Sequence, residues 1–186
     1  MRGGRKLVYV SEEVVDSVAE ICRRDGIAIS KFVDEALKWA VKLRSMGYEL
    51  KDALEVLEVI KVHRVLGGAF VPQQVLDLVE RAYSSNRDEV LRLFFESGQL
   101  YGRYIRRRFK SFSEALKKLL ETSRWDLDEV EVQPSGGKWV VVCVSAVMSV
   151  EGTEMLAKFL EGVVKGLGFE VLQVDRVKGM VTIEFG

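Results

Sequence analysis

A single polar residue, Lys6, opens the mostly apolar run Lys6–Val10, whose alternation as a short strand sets Val8 and Val10 on one face and Arg5, Leu7 and Tyr9 on the other. The period then lengthens. Ser11 is placed to cap a helix, and Glu12 and Glu13 suit the positive end of its dipole. Val14, Val15, Val18, Ile21 and Cys22 share one stripe of that helix, which runs to Arg24. Gly26 fits a left-handed stop. A second helix is predicted from a Ser30 cap, with Phe32, Val33, Ala36, Leu37, Ala40 and Val41 on its apolar stripe. One strand and two helices are too few to bury their own apolar faces, and a lone strand leaves both edges unpaired. A two-fold arrangement closes this unit: Lys6–Val10 pairs with its copy in a second chain, and both stripes join Val8 and Val10 in a shared core.

The helical period continues over Glu49–Leu66. Leu50, Ala53, Leu54, Leu57 and Ile60 form one stripe, and Val56, Val59 and Val62 broaden it, so burial on more than one side is expected. Gly67-Gly68 ends this helix. Pro72 opens a short one to about Tyr83, Ser84-Ser85-Asn86 is a loop, and Asn86 with Glu89 can cap the next helix. That helix is long, predicted from Arg87 to about Phe109, with Gly98 and Gly102 four apart on its apolar side. Ser111-Phe-Ser-Glu114 is a capping box for a helix to about Ser123. After Trp125 the period becomes two. Glu129–Gln133, a turn at Pro134–Gly137 and the apolar run Trp139–Val147 make a hairpin. Glu151–Leu167 is a helix with a wide apolar face, and Phe169–Asp175 and Met180–Phe185 are strands joined near Lys178-Gly179. The fold class is α+β. Residues 1–45 form the N-terminal swapped-ribbon unit, 46–85 a helical connector, and 86–186 helices plus an antiparallel sheet in α-α-ββ-α-ββ order.

The 186 residues carry zero formal net charge, so nucleic-acid binding has to come from a local patch. Arg2, Arg5 and Lys6 supply one, at +3. Arg103, Arg106, Arg107, Arg108 and Lys110 supply another, read either as favourable charge at a helix C-terminus or as a second contact to DNA or an anionic ligand. Cys22 and Cys143 lie far apart in apolar runs, which fits neither a disulfide framework nor a metal spacing and makes the cytoplasm the default. No signal peptide is expected, and the most apolar window, Trp139–Met148, is too short to span a bilayer. One Asn among abundant Glu, Lys, Arg and Val leans towards a thermophile source. His63 is the single histidine and has no ligand pattern around it. Asp126, Asp128, Glu129 and Glu131 fit a solvated edge better than paired acid–base chemistry. No phosphate loop, nucleophile triad or His/Cys cluster is present, so no enzyme, cofactor or metal is expected.

The string Val8-Tyr-Val10-Ser-Glu-Glu…Ile21…Gly26-Ile-x-x-Ser30-x-Phe-Val-x-x-Ala36-Leu resembles a ribbon-helix-helix domain of the Arc/MetJ type. The resemblance covers about a quarter of the chain. It implies paired strands in the major groove and a phosphate held at the start of the second helix. The groove-facing positions are then Arg5, Leu7 and Tyr9, and the phosphate clamp is the backbone around Ile29, Ser30 and Lys31. Arg5 suits guanine; Leu7 is apolar where that family usually carries a polar side chain, and can touch only a thymine methyl.

The C-terminal half is similar to the 4-vinyl-reductase domain, whose fold is shared with TRAPP vesicle-tethering subunits. The likeness rests on Gly98-x-x-x-Gly102, Trp125, the hairpin, Phe159-Leu-Glu-Gly162-Val-Val and Gly168-Phe-Glu-Val…Gly179-Met-Val-Thr-Ile-Glu-Phe185. It implies a small apolar ligand between helices and sheet, with Phe94, Tyr101, Tyr104, Trp139 and Phe159 as pocket candidates. Large aromatics at such spacings also serve simply as core. Many members carry cysteines in the last hairpin; this chain has none there, so no metal is carried over. The expectation is a dimeric, or higher even-order, regulator that binds double-stranded DNA and senses a ligand or oligomerises through its C-terminal domain. The alternative is a protein-interaction module, antitoxin- or scaffold-like, that uses the ribbon only to dimerise. A third reading is a small-molecule binder or enzyme centred on the C-terminal domain.

Overall fold

The structure is a computed structural model that describes residues 7–68, 75, 78, 79, 81, 83, 85–124 and 126–186. It divides into two compact units, Met1–Leu54 and Glu55–Gly186. Among the described residues there are six helices and one four-stranded antiparallel sheet, an α+β arrangement. The helix expected over 72–83 falls largely outside the described residues.

In the first unit, α1 spans Glu12–Asp25 and α2 spans Ile29–Ser45. Ser11 is extended and its carbonyl accepts from Val15 N at 3.1 Å, but its hydroxyl caps nothing. Acids open α1 and Arg23 and Arg24 close it, matching the dipole at both ends. Gly26 ends the helix at φ 67°. The second helix starts earlier than a Ser30 cap predicts. Extended Ala28 occupies the cap, its carbonyl accepting from Lys31 N and Phe32 N at 3.0 Å each, so Ser30 lies inside the first turn. The two helices touch, yet Cys22, 3% exposed, is the only described residue of this pair that is fully buried. Leu37 is 54% and Val41 69% exposed, and Val14, Val15 and Val33 also face solvent.

Helix α3, Leu50–Leu66, is apolar on two opposite sides. Val59 and Val62 are buried, whereas the predicted stripe of Leu50, Leu54, Leu57 and Ile60 lies exposed on the other side. Within the chain this helix is therefore buried on one side, not on several.

In the second unit, α4 (Arg87–Arg108) and α6 (Val150–Leu167) pack closely along their length. Their glycines make that approach. A Cβ on Gly98 would lie 3.0 Å from Val163 N, and one on Gly162 3.0 Å from Gln99 N; each would sit closer still to a carbonyl oxygen of the facing helix. Gly102 and Gly166 repeat the arrangement one turn on. Helix α5 (Phe112–Ser123) is capped by Ser111, whose Oγ accepts from Glu114 N at 3.4 Å. The sheet order is β1-β2-β4-β3, with β1 Glu129–Ser135, β2 Lys138–Val144, β3 Val171–Val177 and β4 Met180–Phe185. Val130, Val141, Cys143, Val181, Ile183 and Phe185 bury one face in a core with Leu116, Leu120, Leu156 and Leu160.

Five strand limits differ from the sequence expectation: β2 begins one residue early, β3 runs on to Val177, and the other three have visible causes. Strand β2 stops at Val144 because Ser145 turns the chain: its hydroxyl donates to the Asp126 carbonyl and accepts from Met148 N at 3.1 Å. Strand β3 starts at Val171 because Phe169 N still bonds to Val164 O, closing α6 behind Gly168 at φ 96°. Pro134 and Ser135 belong to β1, and the turn is the left-handed pair Gly136-Gly137. Among the described residues, no helix is long and apolar enough to cross a membrane.

Candidate nucleic-acid interface and ligand pocket

Leu7–Val10 form no strand within the chain, and their side chains stand in solvent, Leu7 at 82% and Tyr9 at 92% exposure. Arg2, Arg5 and Lys6 lie outside the described residues. Ile29, Ser30 and Lys31 open α2 on the exposed surface. The first turn of α2 holds no acid, whereas α1 begins with two. Ala28 takes the Lys31 and Phe32 N–H groups, which leaves those of Ile29 and Ser30 without a partner among the described residues. Free N–H groups, the positive end of a helix dipole and an adjacent Lys31 together favour an anion.

The five aromatic pocket candidates fall into separate places. Tyr101 and Phe159 meet edge to face at 5.4 Å, and the Tyr101 hydroxyl lies 2.8 Å from His63 Nδ1. Tyr104 packs on Phe109, and Trp139 on Phe112 at 4.7 Å. Phe94 sits in a small satellite cluster with Tyr83, Leu91 and Met155. One crevice lies between α3, α4 and α5, bordered by Val59, Val62, Ile105, Phe109, Lys118 and Leu119. Its free volume is about 10 Å³, room for one water. None of the five candidates borders it. Burial holds His63 below its ordinary pKa and pushes the Tyr101 phenol up.

A polar constellation that periodicity does not reveal lies around Glu154 on α6. Its carboxylate accepts from Tyr83 Oη, meets Arg87 through two nitrogens, and lies 2.8 Å from Arg176. Hydrogen bonding from Arg87 leads the effects that hold Glu154 below the usual carboxylate range. Burial, then the bond to Glu154, pushes the Tyr83 phenol up to about 12. Elsewhere in this unit, Arg124 grips Asp126 with two bonds of 2.8 and 2.7 Å. Burial alone would raise Asp126, and Arg124 outweighs it, so this carboxyl is held low. Burial pushes the Cys143 thiol up to about 12, which makes it inert. Among the described residues, no group of three or more His, Cys, Asp or Glu is placed to hold a metal. No protein-family model matches this chain, and no curated protein matches it.

Proposed function

We propose that this protein is a dimeric DNA-binding transcriptional regulator whose N-terminal strand pairs with that of a second copy to form the DNA-reading ribbon. One observation carries the reading. Residues that alternate or repeat as a core should, from Val8 and Val10 through Val14, Val33, Leu37 and Val41, stay exposed in a single chain. A second copy that supplies the missing half turns this wet surface into an interior. The acid-free start of α2 gives the same unit a place for a backbone phosphate. In this reading the outer face of the ribbon carries Arg5, Leu7 and Tyr9, and the C-terminal unit binds a small ligand or a further protomer.

The interaction-module reading draws on Leu7 and Tyr9. Two large, mostly apolar side chains suit a protein surface as well as thymine methyls. Two measurements separate the readings. Light scattering on the purified chain at micromolar concentration is expected to give a dimer, and Leu37→Glu is expected to give a monomer. Selection from random duplexes is expected to return a palindromic consensus that Arg5→Ala weakens by ~1–3 kcal/mol. A monomer whose residues 7–10 are protected from exchange would refute the ribbon. A dimer that enriches no sequence would leave the interaction module.

A further inference from the structure

The outer side of α4 changes character halfway along. In its first half, charges cancel: Arg92 lies 2.7 Å from Glu96 and 4.0 Å from Glu89. In its last two turns and just beyond, Arg103, Arg106, Arg107, Arg108 and Lys110 place five cations in eight residues with no acid between them. All five are exposed, and none has an ion pair among the described residues. Neighbouring cations behave otherwise. Lys117 meets Glu121, Lys118 meets Glu55 and Glu58, and Lys165 meets Glu170.

The negative end of the α4 dipole cannot account for this density. It is equivalent to roughly half an elementary charge, which one cation satisfies. Arg106 has a further structural use: a Cβ on Gly168 would lie 2.6 Å from its Nη1, so it runs over the end of α6. Arg103 and Arg107, one turn apart on α4, have no such use for their exposed side chains among the described residues, although the backbone of Arg103 lies at the crossing, where a Cβ on Gly166 would come within 3.0 Å of its N. Like charges at that spacing repel. Four of the five are arginines, whose planar donor fork matches phosphate oxygens in pairs.

We propose that this cationic end of α4 binds the phosphate backbone of duplex DNA, as a contact separate from the ribbon and without base readout. The site lies within Glu55–Gly186 and does not require the ribbon to be correct. The occupant is chosen by charge complementarity. Duplex DNA offers a phosphate charge about every 1.7 Å of axis, dense enough to meet closely spaced arginines several at a time.

The test uses the full chain and a non-specific duplex of about 20 base pairs, with affinity measured by fluorescence anisotropy over roughly 50 to 200 mM salt. The combined variant Arg103→Gln, Arg107→Gln, Arg108→Gln, Lys110→Gln is expected to raise Kd at least ~10-fold at about 100 mM salt. Its log–log salt slope is expected to fall by about 0.9 for each phosphate no longer neutralised. Arg92→Gln, which removes a neutralised charge from the same helix, is expected to leave the slope unchanged. Circular dichroism verifies that each variant is folded; if the fourfold variant is not, Arg103→Gln/Arg107→Gln alone carries the test. An unchanged slope overturns the proposal, as does tighter binding of duplex RNA or a poly-glutamate peptide than of duplex DNA. A consensus sequence with an unchanged slope would sink this site and keep the ribbon. A reduced slope with no consensus would do the reverse.

Discussion

Replacing Gly102 with alanine puts the backbone seam between α4 and α6 to a quantitative test. The new methyl would lie 2.8 Å from Leu167 N and 2.9 Å from Gly166 C, and closer still to the Val163 carbonyl oxygen. Carbon atoms pack best at about 3.5–4.0 Å, so the helices must part by about 1 Å. The atoms being pushed are backbone on a helix, which cannot swing aside as a side chain would. Overpacking of this kind costs ~1–3 kcal/mol. A gap of that size also forfeits a quarter to a half of the dispersion attraction along the seam, where Leu156, Leu160, Val163 and Ile105 are all buried. Against this, alanine gains about 1 kcal/mol of helix propensity over glycine. The net loss is then ~1–2 kcal/mol. At roughly 4 °C per kcal/mol for a unit of this size, Tm falls by ~4–8 °C in a calorimetric scan. Gly166→Ala strikes the same layer from the other helix, so the double variant is expected to fall short of the sum by at least ~1 kcal/mol. A Gly102→Ala protein within ~0.5 kcal/mol of the parent, or more stable than it, would refute backbone-to-backbone contact at this crossing.

Other consequences are checked more simply. Glu154→Gln removes the anion that Arg87 and Arg176 share and is expected to cost ~1–3 kcal/mol in urea unfolding. Because folding lowers the Glu154 pKa, its contribution is present above the unfolded value of about 4.3 and is lost as pH falls through the folded one. The variant should therefore show a shallower acid limb in stability against pH. Tyr101→Phe deletes the 2.8 Å bond to His63 and is expected to destabilise by ~1 kcal/mol. Folding also lowers the His63 pKa, so stability should begin to fall as pH drops through about 6.5, and His63→Gln should lose that phase. Cys143 is expected to resist iodoacetamide at pH 8 in the native protein and to react once unfolded, as peptide mass spectrometry would show.

Local chemistry explains which parts of this fold could be anticipated from sequence. Met180–Phe185 alternates cleanly and forms β4 over that span. Ser111 and Glu114 announce α5, and Ser111 does cap it. The errors arise where the path of the backbone or a distant partner decides. Ser30 resembles a cap by type, but the chain leaves Gly26 so that Ala28 reaches the cap first. Val147 extends an apolar run that β2 does not continue, because buried Ser145 is claimed by the Asp126 carbonyl and by Met148 N. The stripe on α3 is visible in the sequence, but periodicity cannot say which of two apolar sides meets the core; Val59 and Val62 do. Glu154 and Tyr83 stand 71 residues apart, and no spacing rule joins them. At the candidate interface, alternation separates Leu7 and Tyr9 from Val8 and Val10, whereas in the single chain all four side chains are exposed. The lack of acid at the start of α2 is plain from Ile29-Ser30-Lys31-Phe32.

A helix pair in which Cys22 alone is fully buried has a further consequence if it is completed by a twin. Its resistance to proteases then belongs to a population of molecules and not to one molecule, since each tenfold dilution removes about 1.4 kcal/mol from the assembled form. A cell making few copies would clear the unmatched ones and keep the rest. Gene dosage would then set the amount of active protein more steeply than in proportion.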